Sequence, residues 1–181
     1  MVKRGRKNGI LLLMNITVND KLSVRPITMD DTDLIIEWRN KSRIMNNFLI
    51  REPITRKDHE RWMREKVESG KVRQFVITEH AEGADRPIGS VYIRDIDMDE
   101  LTAEYGIFIG EDDALGRGYG NDIINWAVGY ARDIGIRTFS LRVLSGNEPA
   151  IRSYKQAGFE QTGVEHDFID GRDLIHMEMK L

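Results

Sequence analysis

Gly116, Gly118 and Gly120 alternate through "LGRGYG", immediately before a segment with helical periodicity. Glycine loses more conformational freedom on folding than any other residue, so such a cluster needs a structural or chemical return. A helix start presents unpaired N–H groups and the positive end of the helix dipole. Glycines clear away side chains that would hold an anion off those groups, and Arg117 adds a charge within the turn. The chemistry open to this stretch is phosphate or pyrophosphate binding. A strand-to-helix turn with no ligand explains the same residues. The spacing is not that of a P-loop, because no Gly-Lys-Ser/Thr follows, nor that of a dinucleotide fingerprint. Further on, "SGNEPAIRSYKQAGF" offers Asn147 as a helix cap and Tyr154 as an aromatic on a short helix.

The elements that must position these residues are readable from periodicity. "KLSVRPIT" alternates as a first strand, and Leu34, Ile35 and Trp38 fall at helical spacing after Asp30 and Asp31. "PITRKDHERWMREKVESG" is a second helix, with Thr55 near its start. "VRQFVITEH" and "PIGSVYIRDID" form a hairpin about "AEGADRP", and "TAEYGIFIG" is another strand. Ile123, Ala127, Ala131 and Ile134 make a core-facing stripe on the helix that follows the glycines. "RTFSLRV" is a strand, residues 147–157 a short helix, and the chain ends as two strands about "DG". The expected order is β-α-α-β-β-β-α-β-α-β-β: one α+β domain over residues 20–181 with a mixed sheet flanked by helices.

Bulk composition narrows the function classes. The 181 residues suit a single domain, with 40% hydrophobic and 31% charged residues. The absence of cysteine excludes a disulfide framework, a thiolate metal site and a cysteine nucleophile, and fits a reducing, cytoplasmic setting. The four histidines lack metal-ligand spacing and read as surface or strand residues, so no metal is expected. The net charge of −3 argues against duplex nucleic acid as a partner. Lys3, Arg4, Arg6 and Lys7 precede a short apolar run, too short for a signal peptide or a membrane span. Residues 1–15 are expected to be a disordered tail or an extension ahead of a start at Met14.

The two motifs together resemble the GNAT N-acetyltransferase superfamily, over roughly Leu22 to Leu181. The branch it looks most like holds ribosomal-protein N-terminal, spermidine and nucleotide-aminosugar acetyltransferases. The family's Gln/Arg-x-x-Gly-x-Gly/Ala motif falls on residues 115–120, with Leu115 in the first position. Its Asn-x-x-Ala…Tyr-x-x-x-Gly-Phe motif falls on Asn147, Ala150, Tyr154, Gly158 and Phe159. The resemblance implies acetyl-CoA as co-substrate. Its pyrophosphate is expected on the N–H groups of Arg117, Gly118, Tyr119, Gly120 and Asn121. Its pantetheine arm is expected along the strand edge at Phe108 and Ile109.

Acetyl transfer by direct attack needs a neutral amine, a polarised thioester carbonyl and, in the family, a proton for the departing thiolate. Tyr154 takes the last role by resemblance. Glu104, opposite Tyr105 by alternation, is the expected base, unless it is a strand-face carboxylate held by an arginine or water carries the proton. A strand N–H is expected to polarise the carbonyl.

The acceptor site is expected from the first two helices. Residues 37–66 hold nine bases against five acids, a poor bed for a polycation. Arg39 is either an anion fork or solvated surface. A peptide N-terminus or a nucleotide aminosugar is therefore expected ahead of a polyamine. The remaining alternatives are a non-catalytic CoA-binding protein and a nucleic-acid module built on the basic tail. A homodimer is compatible with all of these readings.

Overall fold

A computed structural model describes residues 15–81 and 83–181. The expected tail lies outside the described residues, apart from Asn15. Eight strands form one sheet in the order β1-β2-β3-β4-β5-β6-β8-β7. They are β1 (Ile16–Asn19), β2 (Leu22–Pro26), β3 (Arg73–Glu79), β4 (Arg86–Asp97), β5 (Thr102–Ile109), β6 (Thr138–Leu144), β7 (Glu160–Ile169) and β8 (Arg172–Lys180). The helices are α1 (Thr32–Arg39), α2 (Ser42–Met45), α3 (Arg56–Trp62), α4 (Tyr119–Asp133) and α5 (Glu148–Gln156). β1 and α2 go beyond the expected order. Each is only four residues long, too short to carry a period. α3 is also shorter than its pattern, because a π-helical turn, Met63–Val67, takes over its C-terminal half.

Alternation along the strands builds a core on each face of the sheet. Phe75 and Ile77 of β3 face one way, with Ile93, Tyr105 and Phe139 and with Ile123, Ala127, Ala131 and Ile151 of α4 and α5. Val76 and Phe108 face the other way, with Ile35, Trp38, Ile44 and Met63 of the first helices. Burial of each of the larger aliphatic and Phe side chains contributes roughly 1.5–3 kcal/mol. α3 starts in a capping box: Asp58 N–H donates to the Thr55 hydroxyl at 3.2 Å, and Thr55 N–H donates to the Asp58 carboxylate at 3.1 Å.

One irregularity matters most for function. All neighbouring strands are antiparallel except β5 and β6, which run parallel. Their pairing covers only Thr102↔Thr138, Ala103↔Phe139 and Glu104↔Ser140. β5 then continues to Ile109 and β6 to Leu144 without further pairing between them, so the sheet splays open there.

Candidate active site

The glycine turn stands at the far end of β5, one loop beyond the splay. Gly116 and Gly118 adopt φ of +71° and +83°, a region other residues enter only at a cost. Gly118 is the N-cap of α4 and supplies no side chain to cap it. No hydrogen bond within the described residues uses the backbone N–H groups of Arg117, Gly118, Tyr119 or Gly120. The first bonded N–H is that of Asn121, which donates to the Gly118 carbonyl at 3.0 Å. A Cβ built on Gly120 meets no atom within 4 Å. The turn is thus a ring of free donors beside open space.

The side chains of the turn are spent elsewhere. Arg117 Nη1 donates to Glu79 Oε1 at 2.7 Å, so its guanidinium does not serve the helix end as the sequence led one to expect. The buried Tyr119 hydroxyl donates to the same oxygen, and Arg86 holds Oε2 at 2.8 Å. The Glu79 carboxylate, buried at the end of β3, anchors the turn from below. The Tyr119 hydroxyl bond, with Arg86 and Arg117, holds its pKa below the usual carboxylate range against the opposing effect of burial. Nothing in "ITEH" marks this role in the sequence. Asn121 ties α4 to α5: its amide donates to Gln156 at 3.3 Å and its carbonyl accepts from Ser153. A cleft of about 160 Å³ lies between these two helices. Asn147 caps α5, accepting from Ala150 N–H at 3.4 Å.

Tyr154 is half-buried on α5 and packs against the core. Its ring meets Tyr105 edge-on at 6.0 Å and Phe159 at 6.4 Å. Burial, and then the nearby Tyr92, push its hydroxyl pKa well above the usual tyrosine value. Tyr92 crosses from β4 over Gly106 of β5, where a Cβ would stand 2.2 Å from its ring. A larger residue there would push the Tyr92 ring aside.

Glu104 lies between two arginines. Arg94 and Arg142 both donate to its carboxylate, Arg142 Nε at 3.0 Å and Arg94 Nε at 3.0 Å. The structure gives Glu104 the arginine-paired occupation. The Ile109 carbonyl accepts from Arg43 Nη1 at 3.1 Å. Phe108 is buried on the first-helix side against Trp38 and Phe48.

Most of the charges counted in residues 37–66 are likewise paired. Arg56 pairs with Asp33, Arg61 with Asp58, Arg43 with Asp112 and Arg51 with Asp170 of the β7–β8 turn. Arg39 forms no ion pair with another described residue. Its guanidinium carbon lies 3.3 Å from the Phe48 ring centroid, and its buried Nη1 has no partner among the described residues. His59 corrects the surface reading of the histidines: it is buried on α3, with Nδ1 3.1 Å from the Thr32 hydroxyl, and burial lowers its pKa. Among the described residues no group of three or more His, Asp or Glu is placed to hold a metal ion.

Comparison with known proteins agrees with this geometry. The family model described as an acetyltransferase (GNAT) domain matches residues 21–160. The chain belongs to the GNAT acetyltransferases. A relative from Methanocaldococcus jannaschii, called an uncharacterized N-acetyltransferase, is 30% identical over 78% of this chain and 62% of its own length. An uncharacterized protein of the same organism is 27% identical over 83% of this chain and 31% of its own length. The chain therefore spans less than two thirds of either relative. The crystal structure of spermidine N-acetyltransferase from Vibrio cholerae in complex with CoA and spermine superimposes with a TM-score of 0.79 at 26% identity. It covers 90% of this chain and 96% of that one. A domain from Methanocaldococcus jannaschii shares the GNAT fold with a TM-score of 0.78 at 23% identity, covering 90% and 100%.

Proposed function

We propose that this GNAT domain transfers the acetyl group of acetyl-CoA to a primary amine. The observation that carries the reading is the splay of β5 from β6 beside a helix start whose N–H groups are free. Free N–H groups and a helix dipole suit a pyrophosphate. An unpaired stretch of strand edge suits the amide-bearing pantetheine arm, as an added strand would. The residues present fit CoA: Gly120 leaves the space open, and Glu79 fixes the turn without occupying it. Bound acetyl-CoA supplies the activated acyl group. Arg117, Gly118, Tyr119 and Gly120 hold the pyrophosphate through backbone N–H groups, with Asn121 bracing the turn against α5.

Tyr154 holds the proton for the thiolate. Its hydroxyl is protonated throughout the neutral range, and burial, which raises its pKa, makes it a weaker acid than a free tyrosine. Glu104 orients Arg94 and Arg142 at the root of the splay, and the amine loses its proton to water.

The acceptor carries an anionic group near its amine. Arg39, Arg94 and Arg142 lie within electrostatic reach of Tyr92, as does the Glu104 carboxylate, and Asp95 stands 3.6 Å from Arg94. That surplus of guanidinium disfavours a polycation and favours a nucleotide aminosugar or an acidic peptide N-terminus. A polyamine acceptor is the second reading, favoured by the likeness to the Vibrio cholerae enzyme and disfavoured by these arginines. The test is thiol release from acetyl-CoA with matched amines. Acceptor-dependent release supports transfer; release that never depends on an added amine overturns it.

A further inference from the structure

A cavity of about 520 Å³ lies between the α3 end and β4, away from the glycine turn. Trp62, Lys66 and Lys71 line one wall, and Arg94, Asp95 and Asp97 the other. Two departures from regular structure shape it. On one side the π-helical turn closes with Glu68 N–H on the Met63 carbonyl at 2.8 Å, and such turns recur at functional sites. Lys66 sits on this turn, whose backbone is pinned by Val72 N–H on the Lys66 carbonyl at 3.0 Å. On the other side β4 bulges between Arg94 and Asp97, and Asp95 takes a φ of +50°. A non-glycine residue holds that conformation only when its surroundings impose it.

The charges of the cavity divide cleanly. Asp97 is occupied by the N–H groups of Asp99 and Glu100, each at 2.9 Å. Asp95 lies 3.6 Å from Arg94, which also grips Glu104. Lys66 and Lys71 are exposed, and neither forms an ion pair with another described residue. The Trp62 indole lines the same cavity. Its Nε1–H donates to Gln74 at 2.8 Å, and Gln74 donates to Ser90 at 3.1 Å, so the ring is held in place. Two unspent ammonium groups beside a fixed aromatic face make a site for a phosphate carried on a planar ring.

We infer that this cavity binds a nucleoside diphosphate group, with the phosphates on Lys66 and Lys71 and the base against Trp62. This rests on the acetyl-transfer reading only in making that group the distal part of the acceptor. Arg94 provides the join, since its guanidinium lines the cavity and donates to Glu104 at the root of the splay.

The test is a calorimetric titration of uridine diphosphate into protein already saturated with CoA, so that the glycine turn is filled. The wild-type protein takes up one equivalent without displacing CoA. The Lys66→Ala/Lys71→Ala variant, altered only at exposed positions, binds at least about tenfold more weakly. Trp62→Leu weakens uridine diphosphate more than it weakens inorganic pyrophosphate. Equal affinity in the double-lysine variant, displacement of CoA, or uridine binding as tightly as uridine diphosphate would each overturn the assignment. The preceding CoA titration reads the acetyl-transfer proposal separately. Its failure leaves uridine diphosphate binding and its lysine dependence to be measured on the free protein.

Discussion

Tyr154 and Glu104 show how far a residue's type fixes its task. Both are ionisable side chains near the splay, yet one packs half-buried against aromatic rings and the other is gripped by two arginines. Tyr154→Phe should lower kcat about a hundredfold while leaving the Michaelis constant for acetyl-CoA within about twofold, because only the proton is lost. Since burial raises the tyrosine pKa, the wild-type rate should show no alkaline fall from this group up to about pH 10. Glu104→Gln should leave the acid limb of the pH–rate profile in place and raise the acceptor's Michaelis constant, because the arginines lose their anchor. A displaced acid limb would restore Glu104 as the base. Tyr154 was marked by its motif; the pairing of Glu104 was not legible, because Arg94 and Arg142 come from two other strands.

At the scale of elements, the glycine turn and α4 divide the work of the three glycines. Gly118→Ala forces a side chain into a left-handed backbone and should cost about 1–2 kcal/mol of stability. Gly120→Glu carries no such strain and places a carboxylate where the phosphates are proposed to sit. It should abolish CoA binding in calorimetry while the melting temperature stays near wild type; undiminished CoA affinity in a folded variant would remove the cradle. Long amphipathic segments such as α4 and the alternating strands were legible, because burial of one face imposes a period. β1, α2, the π turn and the β4 bulge were not, since each is a short departure imposed by its neighbours.

For the whole molecule, Glu79 couples the sheet to the turn and lends the fold a pH dependence. Its pKa is lowered by the Tyr119 hydroxyl and its arginines, so its contribution is complete above the ordinary carboxylate value of 4.5 and is lost as pH falls below it. Urea melts should show Glu79→Gln less stable than wild type by of order 2 kcal/mol at pH 7. The gap should narrow as pH falls from about 5 to 3, because protonation removes the same charge in the wild type. A gap constant across that range would show that the pairing contributes nothing. The splay and the two-sided core follow from the strand order, which no local period reveals. The acetyl-transfer reading is tested most directly by thiol release from acetyl-CoA with three amines: a nucleotide aminosugar, an acidic peptide with a free N-terminus, and spermidine. One of the two anionic acceptors should have the highest kcat/KM; spermidine as the best acceptor, or thiol release indifferent to every amine, would contradict it.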